Sequence, residues 1–97
     1  MKAIFVSYNQ AYANEIVEIL DEHNQRGFTS WENIHGRGHV EGEPHYGDHA
    51  WPTMNNAILT MVPDELAPAI MADLHAKDEA YPDLGLRAFQ WNIETMV

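Results

Sequence analysis

The sequence predicts an α+β fold: a four-stranded antiparallel sheet with two helices on one face, in the order β-α-β-β-α-β. Three observations predict it. Two stretches carry apolar side chains at helical spacing, each set between β-prone runs. The second and third of those runs follow one another with no helical pattern between them. Four of the six glycines fall in that one connection, so regular structure is expected to stop there.

Residues 3–8 open the pattern as a buried strand around Ile4, Phe5 and Val6, and Asn9 can cap the next helix. That first helix carries Ala13, Ile16, Val17 and Leu20 on one stripe, with Glu15, Glu18, Asp21 and Glu22 on the solvated side. Gly27 is its expected stop. Residues 28–35 form the second strand, with Phe28, Thr29, Trp31 and Ile34. Residues 36–53 form a long loop, which in a compact domain is usually functional or disordered. Residues 56–62 are the third strand. Pro63 and Asp64 open the second helix. Because Pro68 fits only a first turn, the regular helix starts near Ala67, with Ala67, Ile70, Met71 and Leu74 as its stripe. Tyr81-Pro82-Asp83-Leu84-Gly85 ends it, and residues 86–93 alternate as the last strand. His23 and His75 read as surface residues, as do Asp73, Asp78 and Glu79.

This is the ferredoxin-like arrangement, one domain over residues 1–97, whose helices leave one sheet face bare. Trp31, Phe89 and Trp91 either help cover that face in an oligomer or are ordinary core residues.

Composition narrows the function classes. Fifteen acidic and five basic side chains give a net charge of −10, which repels phosphate backbones and anionic membrane surfaces. Neither nucleic acid nor a membrane is therefore an expected partner. With no cysteine there is no disulfide or thiolate metal site, and a cytoplasmic setting is expected. No apolar run reaches the roughly 20 residues that span a bilayer.

Within the connection lie four of the six histidines, His35, His39, His45 and His49, among Glu41, Glu43 and Asp48. Neutral imidazoles with a carboxylate suit Zn²⁺, Cu²⁺ or Ni²⁺, so a divalent metal site drawn from these residues is expected. The other reading is solvent-exposed loop histidines without a ligand, since the spacing matches no specific zinc motif. No G-x-S-x-G, H-E-x-x-H or P-loop sequence is present, and no enzymatic machinery is expected.

Strand order, length and the glycine-rich connection together resemble the PII signalling proteins and their relatives, including the CutA type. Gly36-Arg37-Gly38 looks like the start of the PII T-loop, and Lys2-Ala3-Ile4 has the family's look. The resemblance implies a non-enzymatic regulator. It would be a homotrimer whose sheets line the centre and whose loops dock on a partner protein, a transporter or an enzyme. It also implies small-ligand clefts beside Gly36, Arg37, Gly38 and Arg87. Tyr46 lies in the loop where some PII proteins carry a modified tyrosine. The chain departs from the family between its second helix and last strand. There PII proteins carry T-G-x-x-G-D-G, which wraps nucleotide phosphates, and this chain has one glycine and no lysine. Weak or absent ATP and ADP binding is expected on that ground. The alternative is a small dimeric α+β barrel enzyme, a cofactor-free monooxygenase or a haem-handling type, although those lack the long connection.

Overall fold

Along β1 (Lys2–Asn9), Ile4, Val6 and Tyr8 alternate with Ala3, Phe5 and Ser7, so the strand divides two sides of a sheet. In the computed structural model, which describes residues 1–37, 43–48 and 53–97, the first set enters the core. β1 is central. It pairs antiparallel with β3 (Asn55–Val62) on one side and with β4 (Arg87–Asn92) on the other. β2 (Thr29–Ile34) joins the outer side of β3, giving the order β2-β3-β1-β4. The predicted architecture stands, with each strand within two residues of its expected ends.

The helices α1 (Ala13–Glu22) and α2 (Ala67–Ala80) lie on one face of this sheet. Ile16, Ile19 and Leu20 of α1 and Ala67, Ile70 and Leu74 of α2 pack on Ile4, Val6, Tyr8, Ile58 and Val62. Removing each Ile, Leu or Val side chain of this set from water contributes roughly 1.5–3 kcal/mol before ordering costs. α2 begins at Ala67 as the proline rule requires, with Pro68 in its first turn.

Two local expectations are corrected. Asn9 does cap, accepting from the Ala11 amide at 2.9 Å, but it caps a single 3-10 turn (Gln10–Tyr12) ahead of α1. α1 stops at Asn24, not at Gly27. Asn24 adopts φ +58°, and the Gln25 and Asn24 amides return to Leu20 and Asp21 at 2.9 and 3.0 Å, a Schellman closure. Asparagine tolerates this left-handed conformation, so no glycine is needed.

Among the described residues, the opposite sheet face carries no helix. Register puts Trp31, Ala57, Leu59, Ala3, Phe5, Phe89 and Trp91 on it. Trp31 is 44% exposed, and Phe89 and Trp91 are each 49% exposed. They are therefore not ordinary core residues. Phe5 and Trp31 approach with ring centroids 6.5 Å apart. No described helix is long and apolar enough to cross a membrane.

Candidate functional site at one end of the sheet

The end of β1, the start of β3 and the segment before β4 meet at one end of the sheet, and buried polar side chains join them. Asn9 and Asn55 are register partners and both are buried. The Asn9 amide donates to the Leu84 carbonyl at 2.9 Å, and its Nδ2 donates to the Asp83 carbonyl at 3.1 Å. Residues 83–84 are thus held against β1 by both backbone and side chain. Tyr12 adds a hydroxyl bond to the Asp83 carboxylate. That bond is the main reason its phenol is pushed up to about 12.

The β2–β3 connection was expected to lack regular structure. Its described residues instead contain two short antiparallel bridges. Gly36 and His45 exchange backbone bonds of 3.0 and 2.6 Å, and Tyr46 faces Met54. A Cβ on Gly36 would collide with the Asn55 side-chain amide, so a larger residue there would force Asn55 to shift.

His45 is only 4% exposed. Its Nδ1 lies 2.5 Å from Asn55 Oδ1, and its ring is packed against Gly85. Gly85 has φ +59°, and a Cβ on it would stand 3.0 Å from His45 Cε1. The imidazole therefore joins the β2–β3 connection to the segment before β4. Arg37 donates to the Tyr46 hydroxyl at 2.8 Å, and its guanidinium lies 5.7 Å from that ring. Arg87 starts β4 opposite Ser7, exposed and 5.6 Å from the Phe89 ring. A groove of about 330 Å³ runs beside it, lined by Met71, Leu74, His75, Asp78 and Leu86.

The metal expectation is corrected. Among the described residues no three His, Asp or Glu side chains are grouped to hold an ion. His45 faces Asn55 and Gly85 in the interior, His35 is exposed and lies edge-on to Tyr46 at 6.4 Å, and Glu43 is exposed. His39, Glu41 and His49 lie outside the described residues, as does Gly38. His23 also departs from expectation: it is half-buried and bonds Asp73 of α2 at 2.7 Å.

Sequence reasoning gave Asn9, Asp83 and Gly85 only a capping or helix-ending role, and it missed Asn55 and Tyr12. The available signal was a run of polar residues, Ser7-Tyr8-Asn9 and Asn55-Asn56, interrupting two apolar strands at the ends that pair.

No family model matches the sequence, and no curated protein matches it. Solved structures do match the fold. One is described as a PII-like signalling protein, from Thermus thermophilus. It is 22% identical with a TM-score of 0.67, over 95% of this chain and 85% of that one. Another is a nitrogen regulatory PII-like protein from Thiomonas intermedia, bound to ADP, AMP and bicarbonate. It is 17% identical with a TM-score of 0.71, over 97% of this chain and 88% of that one. The same protein bound to ADP, AMP and acetate gives a TM-score of 0.72 at 17% identity, with the same coverage. These structures overturn the expectation about cofactors: the Thiomonas protein, of the same fold, is bound to adenine nucleotides. The fold of this chain is that of the PII-like proteins.

Proposed function

We propose that this chain is a non-enzymatic PII-like regulatory protein that binds an adenine nucleotide, ADP or AMP, and signals through its β2–β3 connection. The observation that carries the proposal is the meeting of that connection with the segment before β4 at one end of the sheet. The fold is one that in the Thiomonas protein is bound to ADP and AMP.

The ligand would sit beside Gly36, Arg37, Gly38 and Arg87. Arg37 and Arg87 are two of five cationic side chains in a chain of net charge −10, so a phosphate has reason to seek this end. A guanidinium has five N–H donors, and the bond to Tyr46 engages only part of Arg37. The segment before β4 has a single glycine, Gly85, whose left-handed turn brings backbone close to His45. The bare sheet face fits a homotrimer, in which each cleft is completed by a neighbouring copy. Docking of the β2–β3 connection on a partner protein, in the cytoplasm, belongs to the same reading.

Calorimetric titration with ADP and AMP tests the proposal. Micromolar binding is expected, and Arg87→Ala should weaken it about tenfold, the loss of one charge-assisted bond. Absence of binding by both nucleotides would overturn it.

A further inference from the structure

We infer that His45 is a positioning residue that couples the β2–β3 connection to the segment before β4, so that displacement of either one moves the other. The inference rests on the proposed nucleotide site only for what drives the displacement; the contact itself stands on geometry.

His45 is held on three sides. Its backbone exchanges two bonds with Gly36, its Nδ1 meets Asn55 Oδ1, and its ring covers Gly85. Asn55 is in turn the register partner of Asn9, whose amide and side chain hold Leu84 and Asp83. A closed circuit results: His45, Gly85, Leu84, Asn9, Asn55 and back to His45, with Gly36 paired to it through the His45 backbone.

Gly85 leaves no room for a side chain against the His45 ring. Ordinary Cβ contacts begin near 3.4 Å, and a methyl added to Gly85 would stand 3.0 Å from His45 Cε1. The ring cannot recede into Asn55, which lies at hydrogen-bond distance on Nδ1. Buried and close-packed surroundings leave His45 a rigid transmitter rather than a soft one. A ligand that displaces residues 83–86 therefore pushes on His45 and, through the paired amides, on Gly36.

Backbone amide exchange reads the coupling directly, in wild type, Gly85→Ala, His45→Ala, His45→Gln and the double variant of Gly85→Ala with His45→Ala. Gly85→Ala should raise exchange at the Gly36 and His45 amides about tenfold, although the substitution lies 40 or more residues away in sequence. His45→Ala should raise exchange at Asn9 and Leu84 by a similar factor. In the double variant Gly85→Ala should add less at Gly36 than it does alone, because the ring it strikes is gone and only the backbone strain of a side chain at φ +59° remains. His45→Gln, which retains a side-chain partner for Asn55, should restore much of the wild-type rate at Asn9. Amides in the centre of β1 and β3 should stay at wild-type rates, which separates coupling from general loosening. With ADP added, wild type should gain protection at both Leu84 and Gly36, and His45→Ala at Leu84 alone. Wild-type exchange at Gly36 and His45 in Gly85→Ala would overturn the inference. So would additive effects in the double variant. If wild type binds no ADP, the proposed function fails while the exchange cycle without nucleotide still decides the role of His45.

Discussion

Asn9 and Asn55 stand opposite each other on β1 and β3, both nearly closed to solvent, and each fastens a different distant segment. Asn9 holds the Asp83 carbonyl, while Asn55 holds the ring of His45. Replacing Asn55 by alanine leaves the His45 Nδ1 buried without that partner. A loss of about 1–3 kcal/mol is expected from urea unfolding. Asn9→Ala removes two side-chain bonds and should cost a similar amount. A loss under about 0.5 kcal/mol for both would mean that these residues do not hold the two segments.

Tyr12 makes stability depend on alkaline pH. Its folded pKa is raised from the ordinary 10.0 to about 12, first through the hydrogen bond to Asp83. The protonated phenol is the form the fold prefers. Its contribution is therefore complete below pH 10 and lost as pH rises through about 12. Wild type should exceed Tyr12→Phe in urea midpoint near neutrality, and the gap should close across that alkaline window. An equal gap at both ends would show that the bond to Asp83 does not discriminate protonation states.

The bare sheet face predicts an assembly. Light scattering should give three times the 11.1 kDa chain mass for wild type. Trp91→Glu should lower it to that of one chain while leaving circular dichroism unchanged, since the indole is half exposed in the isolated chain. Aromatic residues at the centre of an interface commonly carry roughly 2 kcal/mol or more of its affinity. A monomeric wild type would remove the trimer, and a trimeric Trp91→Glu would show that its interface lies elsewhere.

Core and surface should part cleanly. Ile58 is fully buried between β1, α1 and α2, and Ile58→Ala should cost about 2–5 kcal/mol in urea unfolding. Glu18→Ala, on the solvated side of α1, should stay within about 0.5 kcal/mol. Comparable losses would contradict the assignment of helix faces.

Why the architecture was legible and the site was not comes down to range. Ile4-Phe5-Val6, the stripe through Ile16 and Leu20, and the proline near the start of α2 all act within a turn or a strand, so spacing alone reveals them. His45 owes its surroundings to residues 10 and 40 positions away, Asn55 and Gly85. Clustering in sequence made it look like one of several metal ligands, whereas its distant neighbours take the ring into the interior. Gly27 misled for a different reason: Asn24 can also take the left-handed turn, and it comes first.

The irregularity in β2 bears on how the sheet ends. Its pairing with β3 shifts between Trp31 and Ile34, where Asn33 adopts φ +58° and its amide turns to the Asn56 side chain at 3.2 Å. An unbroken outer strand of six residues, five of them exposed, would be a template on which a further strand could grow, and then another. The twist at Asn33 withdraws one donor from that edge and gives it inward. If copies assemble through the bare face as proposed, an edge closed in this way would steer their association toward a closed particle rather than an endless fibre.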